Sequence, residues 1–424
     1  MQHEPVEPFR LRPYQIEGVE RLLELTAPGR SVRAALLADE PGLGKTAQVA
    51  EYINRAKPAS VLIVCPASLR LNWKYELDRW MTYQPSSLEI RSYGLIGELV
   101  ENGSIYDLVV FDEAHYLKNP DAKRTKNGLA LKADVRLYLT GTPVVNRPMD
   151  LFPVLSTMGI RLNRVQFGMR YCNGHLASVR VRGGRVRKVW DFSGASHQEE
   201  LGDSLRKHCM VRRTKREVLR DLPEKIRQIV ELDIPDGESV ELKEAVARMF
   251  DAMAKAASNL SEAKRLAFEE LAKARLDIAR NKLPYVISFI KDLLEEETKI
   301  VVFAYHREVV EQLRLAFDGV MIYGGMTDAQ KDASVRAFQD GPVRVMVGQI
   351  VAAGTGLTFT AAHTVVFAEL DWVPGNVIQA EDRCHRIGQD EPVRIFHLVA
   401  QGSVDARMVR ALVRKQETVE RMGL

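Results

Sequence analysis

The sequence predicts an α/β protein with two lobes, each built on a parallel sheet whose faces are covered by helices. Eight short apolar runs support this prediction, because they are rich in β-branched residues and do not alternate with polar ones, as expected for strands buried on both faces. The runs fall into two groups of four separated by helix-like stretches, so the pattern occurs twice. The first group comprises residues 34–39, 60–65, 107–113 and 135–141, and the second comprises residues 299–306, 343–349, 364–370 and 393–400.

The length and composition limit the class of protein. The chain has 424 residues, which is enough for about two to three domains. Apolar residues make up 46% and charged residues 27%, as in soluble globular proteins. No apolar run approaches the roughly 20 residues that span a bilayer, and the N-terminus lacks a signal peptide, so we expect no membrane partner and a cytoplasmic location. The four cysteines form no CxxC pair, which argues against a zinc module or a disulfide framework.

The domain organisation follows from where the strand–helix alternation breaks. We expect the first lobe to cover residues 1–225 and the second to cover residues 226–424. In the first lobe, residues 150–215 interrupt the alternation and include a Gly- and Arg-rich patch, which is typical of an insertion. In the second, residues 237–297 are rich in Ala, Glu, Lys, Leu and Arg, which predicts a long helical hairpin or a small bundle. We expect Pro284 to mark a helix start or a kink.

Two basic runs stand out although the net charge is only +4. Residues 180–188 carry five basic side chains and no acidic one, and residues 206–216 carry six more. Such runs can neutralise the phosphates of a nucleic acid. The alternative is a solvated loop and a solvated helix face.

The segment ADEPGLGKT at 38–46 has the features of a phosphate-binding loop. Gly42 and Gly44 let the backbone approach phosphate oxygens, and the following helix N-terminus offers oriented N–H groups. Lys45 is expected to hold the β- and γ-phosphates of ATP, and Thr46 is expected to hold Mg²⁺. The strict pattern has glycine where this chain has Asp39, and a glycine-rich helix cap without function is the alternative.

A second segment, DEAH at 112–115, follows the buried strand predicted at 107–113. Asp112 at the end of this strand can hold Mg²⁺, and Glu113 can orient and deprotonate an attacking water molecule. His115 either couples this segment to others or makes only local hydrogen bonds.

Arg383 and Arg386 are three residues apart on a predicted helix, so both can point the same way. They are candidate arginine fingers, which stabilise charge on a transferring phosphoryl group. The alternative is a salt-bridged helix face, because Glu381 and Asp382 are adjacent. Together with the phosphate loop, the two arginines predict an ATPase whose site lies between two lobes. Cys384 is expected to be a small buried side chain.

The tryptophans carry weaker signals. Trp73, Trp80 and Trp190 are expected to be packing residues and not platforms for stacked bases. Trp372 lies close in sequence to Arg383 and Arg386 and could serve either purpose.

These segments resemble the motifs of superfamily 2 helicase-type motors, and specifically those of the Snf2 family. The string MVRRTKREVLRDLPEK (210–225) is especially specific, because Snf2 proteins carry a very similar string after their first helical protrusion. The resemblance implies two RecA-like lobes with a helical protrusion inserted in each. The other matching segments are LRPYQ (11–15), ADEPGLGKT (38–46), VLIVCPASLRLNW (61–73), DEAH (112–115), LTGTP (139–143), VAAGTGLTFTAA (351–362) and QAEDRCHRIGQ (379–389).

The resemblance also assigns roles to further residues. It implies that Gln15 reads adenine and that Gly354 and Gln379 line the nucleotide site. It implies that DNA is contacted at Ser68, Gly141, Gly324, Thr355 and Trp372. Pro41 departs from the family, which usually has Met there, and this puts the stiffness of the loop and its ATP affinity in question.

Within the Snf2 family, the chain is similar to the branch of fork-remodelling annealing helicases. The matching segments are FGMRYCNG (167–174), WDFSGAS (190–196) and VVFAELDWVPGNVIQAEDRCHRIGQ (365–389). This implies ATP-driven translocation along duplex or branched DNA, without sequence specificity and without processive strand separation. A strand-separating DNA or RNA helicase is the alternative, and a non-hydrolysing clamp is a third. We further expect a monomer, an association with the nucleoid, an unidentified recruiting partner, and a bacterial or phage origin.

Overall fold

A computed structural model of the chain describes residues 10–141, 147–180, 186–219, 222–232, 234, 260–353, 357–371 and 373–400. The described residues form two compact units. The first unit holds residues up to 175 and from 192 onwards to 219, and the second holds residues 176–191 and 222–400. The division falls between residues 221 and 222, four residues before the lobe boundary that we propose from the sequence.

The first unit is built on a six-stranded sheet in which every pair of neighbours is parallel, in the order β3-β2-β4-β5-β1-β8. Its strands are β1 (Ala34–Leu37), β2 (Ser60–Cys65), β3 (Ser87–Ser92), β4 (Ile105–Phe111), β5 (Lys132–Leu139) and β8 (Met210–Val211). Its helices are α1 (Pro13–Leu25), α2 (Lys45–Ala56), α3 (Arg70–Trp80), α4 (Gly97–Glu101), α5 (Lys123–Ala130), α6 (Phe152–Leu155), α7 (Arg164–Tyr171), α8 (Gln198–His208) and α9 (Lys215–Val218). Short 3₁₀ helices span Ala67–Leu69, Ala114–Leu117 and Pro148–Leu151.

Both faces of this first sheet are covered by apolar side chains. Leu36 and Phe111 belong to the core on one face, whereas Leu37 and Val110 belong to the core on the other. Successive residues of a strand point to opposite faces, so a strand that is buried on both sides has a continuous apolar sequence. This confirms the prediction of a parallel sheet covered by helices in the first half of the chain.

The second unit repeats this architecture with the parallel order β11-β12-β10-β13-β14-β9. Its strands are β9 (Lys225–Leu232), β10 (Ile300–Ala304), β11 (Val320–Ile322), β12 (Val345–Gln349), β13 (Thr364–Phe367) and β14 (Val393–Ala400). Its helices are α10 (Leu260–Glu296), α11 (Arg307–Ala316), α12 (Asp328–Gln339), α13 (Ile350–Ala353) and α14 (Pro374–Glu381). The fold class predicted from the sequence, two α/β lobes with parallel sheets, is confirmed.

The stretch between α7 and α8 contains a separate two-stranded sheet, β6 (His175–Arg180) with β7 (Val186–Asp191), and we call these two strands the basic ribbon. Side chains of β7 are largely exposed, including Val186 at 60% and Trp190 at 40%. The predicted insertion at 150–215 is therefore heterogeneous. It consists of α6, α7, the ribbon and α8, and its end returns to the first sheet as β8.

The prediction for Pro284 as a helix start was wrong. Pro284 lies inside α10, a single helix of 37 residues. Proline there removes one backbone hydrogen bond, but the surrounding turns are fixed by packing, since Ile278, Leu283 and Val286 are buried in the core of the second unit. The remainder of the helical stretch, residues 237–259, lies outside the described residues.

All four cysteines of the chain are free thiols buried in the core. Burial raises the pKa of Cys65 to about 12 and the pKa of Cys172 and Cys209 to about 11. Burial raises the pKa of the Cys384 thiol further still. These thiols are protonated and inert at neutral pH, as expected for structural cysteines.

In the part of the chain that the structure describes, we find no helix with the length and apolar character to cross a membrane.

Candidate active site

Two chemistry-bearing segments follow strands of the same parallel sheet. β1 ends at Leu37, β4 ends at Phe111, and both strands pair with β5. The carboxyl ends of parallel strands lie at one edge, so residues 38–44, which we call the glycine loop, and residues 112–115 emerge on the same side of the first unit. This edge is where ligands bind in open α/β sheets.

The glycine loop has the backbone shape that its glycines permit. Gly42 and Gly44 have φ angles of 90° and 76°, in the left-handed region that side chains disfavour. Gly44 is the N-cap of α2, so the loop leads directly into a helix N-terminus with unsatisfied N–H groups. The result is a concave backbone suited to anionic oxygens.

Lys45 is folded over this loop. Its Nζ donates hydrogen bonds to the carbonyl oxygens of Asp39 at 2.7 Å and Glu40 at 3.3 Å. Burial lowers the pKa of Lys45, and the negative charges of Glu113, Asp39 and Asp112 act in the opposite direction. The lysine is therefore a partly buried amine among carboxylates at the sheet edge.

Gln15, the residue expected to read adenine, contacts the glycine loop. Its Oε1 accepts a hydrogen bond from the backbone N–H of Arg12 at 2.8 Å, and its Nε2 donates to the carbonyl of Leu43 at 3.1 Å. A Cβ added to Gly44 would lie 2.3 Å from Gln15 Nε2. A side chain at position 44 would therefore displace Gln15 from the loop.

Asp112 is held on three sides. Its Oδ2 accepts a hydrogen bond from Trp73 Nε1 at 2.8 Å, and its Oδ1 accepts one from the backbone N–H of Glu113 at 2.9 Å. The hydroxyl of Tyr93 donates to its carbonyl oxygen at 2.8 Å. Burial and the charge of Glu113 raise the pKa of Asp112 to about 6, so this pair of adjacent carboxylates favours a cation beside it.

Glu113 begins a 3₁₀ turn with a left-handed backbone, at φ 50°. Its Oε2 lies 3.2 Å from Nδ1 of His115, and the same nitrogen lies 3.5 Å from Oγ1 of Thr140. Thr140 follows β5 and belongs to the segment LTGTP. His115 thus makes a local contact and also reaches a neighbouring motif, so both alternatives left open by the sequence have a structural basis.

Pro41 of the glycine loop packs against the same neighbouring motif. A Cβ added to Gly141 would lie 2.6 Å from Pro41 Cγ, so only glycine permits this close approach. The proline that departs from the family pattern therefore lies against the strand end of β5.

The donor set at this edge fits a nucleoside triphosphate with Mg²⁺. Mg²⁺ commonly uses one or two protein oxygens and completes its shell with phosphate oxygens and water. Asp112 and the hydroxyl of Thr46, the second residue of α2, supply that kind of donor. Among the described residues, no three His, Cys, Asp or Glu side chains are grouped so that they could hold a metal ion by themselves.

The second unit places Arg383 and Arg386 just after α14. Arg383 is 3% exposed, and it donates to the carbonyl oxygens of Gln379 at 3.0 Å and Leu357 at 3.1 Å. Arg386 donates to Asp382 O at 3.0 Å and to Thr358 Oγ1 at 3.1 Å.

The acidic residues beside these arginines bind to β9. Glu381 accepts hydrogen bonds from Arg227 Nη2 at 2.6 Å and Nε at 3.1 Å, and Asp382 accepts one from Lys225 Nζ at 2.5 Å. His385 Nε2 lies 2.7 Å from the carbonyl oxygen of Pro223. The segment that carries the two arginines is therefore fixed to β9, an edge strand of the second sheet.

The remaining expected site residues are only partly described. Gln379 is buried in α14. Gly354, Thr355 and Trp372 lie outside the described residues.

Three expected DNA-contact positions lie after strand ends of their own sheets. Ser68 is in the 3₁₀ helix that follows β2, and Gly141 follows β5. Gly324 follows β11, and its N–H donates to Gln349 Oε1 at 2.9 Å.

Sequence reasoning missed two kinds of functional residue. Trp73 is fully buried, as expected for packing, but it also donates to Asp112. Arg212 and Arg213 bond the glycine loop and its surroundings, and the specific string at 210–225 was the signal that could have found them. Trp190 keeps 40% of its surface exposed.

Comparisons with known proteins agree with this geometry. The family model described as "SNF2-related domain" matches residues 14–94 and 90–277, and the model "Helicase conserved C-terminal domain" matches residues 281–388. The mouse protein "DNA annealing helicase and endonuclease ZRANB3" is 35% identical over 96% of this chain and 40% of its own length. The Xenopus tropicalis "SWI/SNF-related matrix-associated actin-dependent regulator of chromatin subfamily A-like protein 1" is 32% identical over 98% of this chain and 45% of its own length.

The chain thus spans less than half the length of these curated relatives. Among solved structures, it is similar to the "Sulfolobus solfataricus SWI2/SNF2 ATPase core in complex with dsDNA", with 24% identity, a TM-score of 0.44, and coverage of 99% of this chain and 95% of that chain.

Proposed function

Because the chain belongs to the SNF2-related family, we propose that it is a DNA-dependent ATPase that translocates on double-stranded or branched DNA. The observation that carries the proposal is the meeting of the glycine loop with Asp112 and Glu113 at one sheet edge, with the partly buried Lys45 among their charges. That arrangement supplies what phosphoryl transfer needs, namely positioning and charge stabilisation.

The first unit binds the nucleotide in this proposal. Gln15 selects adenine, Gly42 and Gly44 shape the phosphate cradle, and Lys45 moves from the loop carbonyls to the β- and γ-phosphates. Thr46 and Asp112 hold Mg²⁺, which when bound neutralises charge on the phosphate oxygens.

Glu113 orients and deprotonates the attacking water. His115 keeps Glu113 in place and links it to Thr140, which provides a path by which DNA contacts influence hydrolysis. The contact between His115 and Glu113 at 3.2 Å supports this role.

The second unit supplies the arginines. Arg383 and Arg386 stabilise charge on the transferred phosphoryl group, and Gly354 and Gln379 line the nucleotide from the same unit. This role requires the two units to close during the cycle. The hydrogen bonds from Arg383 to Gln379 and Leu357 hold the guanidinium ready in a fixed conformation.

DNA is contacted mainly through phosphates, so binding has low sequence specificity. The proposed contacts lie at Ser68, Gly141, Gly324, Thr355 and Trp372, and the basic ribbon adds a further one. The work we propose is remodelling or annealing of branched DNA; the name of the mouse relative prints "DNA annealing helicase". A monomer located with the nucleoid, with an unidentified recruiting partner, completes the proposal.

The alternative is a superfamily 2 helicase that separates strands of DNA or RNA. The match of the SNF2-related model over residues 14–94 and 90–277 favours the translocase, because that match covers the string at 210–225.

The decisive experiment measures ATP hydrolysis without nucleic acid and with single-stranded DNA, duplex DNA, forked DNA and RNA. We expect strong stimulation by duplex or forked DNA. Glu113→Gln should lose at least about 100-fold of the stimulated rate, which is the lower range for removal of a general base, while still binding nucleotide. Arg383→Ala should lose about 1,000-fold or more, and the exposed Arg336→Ala on α12 should keep the wild-type rate.

Stimulation by RNA or single strands alone, with unwinding of a tailed duplex, would support the alternative helicase. Displacement of a triplex strand without unwinding would support the translocase. Absence of turnover with every nucleic acid would overturn both.

A further inference from the structure

The guanidinium of Arg213 joins the glycine loop to the two helices beside it, α1 and α2. It donates from Nε to Asp39 Oδ1 at 3.0 Å, from Nη2 to Gln48 Oε1 at 2.7 Å, and from Nη1 to the carbonyl oxygen of Tyr14. Nη2 also forms an ion pair with Asp39 Oδ2. Tyr14 lies on α1 and Gln48 on α2, so one side chain bonds the loop to the helices before and after it.

The position of Arg213 is set by the edge strand β8. β8 pairs with β1 through Leu36 with Met210 and Leu37 with Val211. Beyond the strands the two chains continue side by side, since the N–H of Glu40 donates to the carbonyl oxygen of Arg213 at 3.1 Å. The string at 210–225 therefore runs along the glycine loop before it leaves the first unit.

Asp39 depends on Arg213 because it is fully buried. Its side chain is 0% exposed, and it also accepts hydrogen bonds from the N–H of Arg213 at 3.0 Å and from Gln48 Nε2 at 2.9 Å. A buried carboxylate whose cationic partner is removed is left as an uncompensated charge. The loop would have to move to bring that charge to water.

The packing of α1 against this cluster depends on glycine at position 18. A Cβ added to Gly18 of α1 would lie 2.2 Å from Gln48 Oε1 and 2.4 Å from Arg213 Nη2. Glycine at position 18 therefore allows the close approach of α1 to the cluster. The neighbouring Arg212 adds bonds to the carbonyl oxygens of Ala38 and Gly141.

We propose that Arg213 is a positioning residue of the nucleotide site. It holds Asp39, which stands where the strict loop pattern has glycine, and thereby fixes the glycine loop relative to α1 and its Gln15. The inference rests on the proposed nucleotide-binding function of the loop. Arg213 does not touch the nucleotide in this proposal, and it acts through Asp39 and the backbone of α1.

The test is the affinity of the full chain for a fluorescent ADP analogue with Mg²⁺ and without DNA, for Arg213→Ala, Asp39→Asn and the double variant. We expect each single variant to weaken binding by about 10- to 100-fold, since small misplacements of a binding group have effects of this size. The double variant should be little worse than either single one, because the two residues act as one unit. Arg213→Lys should retain only part of the wild-type affinity, because an ammonium lacks the planar set of N–H donors that a guanidinium offers.

Two control variants separate positioning from general effects. Arg216→Ala removes an exposed charge three residues further along the same segment. Arg33→Ala removes a guanidinium whose Nε bonds the carbonyl oxygen of Thr26 at 2.8 Å, away from the loop. Both should bind the analogue like wild type. When the ATP concentration is varied, Arg213→Lys should show a raised KM for ATP with a smaller change in kcat.

The outcomes are distinct. Unchanged analogue affinity in folded Arg213→Lys and Asp39→Asn overturns the inference, even if their melting temperatures fall. Additive losses in the double variant also overturn it. Failure of the wild type to bind the analogue overturns the proposed function itself. If Arg213→Ala does not fold, Arg213→Lys and Asp39→Asn decide the question.

Discussion

The indole Nε1 of Trp73 donates a hydrogen bond of 2.8 Å to Oδ2 of Asp112. Trp73 lies on α3, after β2, and Asp112 follows β4, the neighbouring strand. The indole is fully buried, so its geometry is fixed by packing. It leaves the other carboxylate oxygen to accept from the N–H of Glu113, and it therefore sets the direction in which Asp112 presents its charge.

Trp73→Phe should weaken the proposed Mg²⁺ site while leaving the core filled. We expect a rise of about 10-fold in the Mg²⁺ concentration for half-maximal nucleotide binding, the lower range for loss of a residue that orients a metal ligand. The measurement is titration of Mg²⁺ against fluorescent ADP binding. Trp80→Phe is the matched control, because Trp80 Nε1 donates to Glu76 at 2.9 Å, outside the site. Equal Mg²⁺ dependence in both variants would contradict the assigned role of Trp73.

His115→Ala should reduce hydrolysis more than it reduces nucleotide binding. His115 lies 3.2 Å from Glu113 Oε2, so its removal frees Glu113 to leave the position needed for water activation. We expect about a 10-fold loss of DNA-stimulated kcat, smaller than the loss for a general base itself. His208→Ala, which removes an exposed histidine on α8, should have no effect. A fall in nucleotide affinity without a fall in kcat would argue against this role.

The predicted strands and the missed ones differ in their place in the sheets. All eight apolar runs became strands, because a strand covered on both faces must be apolar throughout. The four edge strands β3, β8, β9 and β11 were not predicted, and neither were the two strands of the basic ribbon. Lys225, Arg227, Gln228 and Glu231 interrupt the apolar residues of β9, which is largely exposed, so its sequence lacks the continuous apolar character on which the prediction depended.

The motif residues could be predicted, but their supporting contacts could not. Lys45 and Asp112 are identified by local spacing after a buried strand. The contact from Trp73 to Asp112 joins residues that are 39 positions apart in the sequence. The contact from Arg213 to Asp39 joins residues that are 174 positions apart. They depend on which strands are neighbours, namely β2 with β4 and β1 with β8. One sequence does not show that order.

The basic ribbon should contribute to DNA affinity through its charge. Arg187→Gln with Lys188→Gln removes two exposed cations from β7, and each phosphate contact contributes about 0.9 to the slope of log affinity against log salt. We therefore expect the slope for duplex DNA to fall by about 1.8, with weaker binding at low salt. The hydrolysis rate without DNA should not change.

The control removes the same amount of charge from the first unit. Lys57→Gln with Lys132→Gln changes exposed lysines that precede β2 and begin β5, at the amino ends of the strands. An unchanged salt slope in the ribbon variant, or the same fall in this control, would remove the ribbon from the DNA interface.

Glu381→Gln should destabilise the protein in a pH-dependent way. Burial would raise the pKa of Glu381, but the hydrogen bond from His397 and the charges of Lys225 and Arg227 outweigh it and lower the pKa to about 2. A carboxylate with a depressed folded pKa stabilises the fold above its unfolded pKa of about 4.3, and this stability is lost as the pH falls towards 2.

The difference in Tm between wild type and Glu381→Gln should therefore be largest at about pH 6 and smaller at about pH 3. Thermal denaturation followed by circular dichroism measures it. Glu308→Gln removes an exposed carboxylate paired with Arg280 at 2.8 Å, and such pairs contribute little, so its Tm should stay near wild type. A Tm difference for Glu381→Gln that does not change with pH would show that the side chain is not ionised in the folded protein.

Because its four thiols are buried, the native chain should react very little with thiol-reactive dyes. Their raised pKa values leave little thiolate for a maleimide to attack. Cysteines introduced at exposed positions, such as Leu95→Cys in the first unit and Leu315→Cys in the second, would take up almost all of the label. The unmodified sequence thus already offers a low labelling background for fluorescence measurements on single molecules.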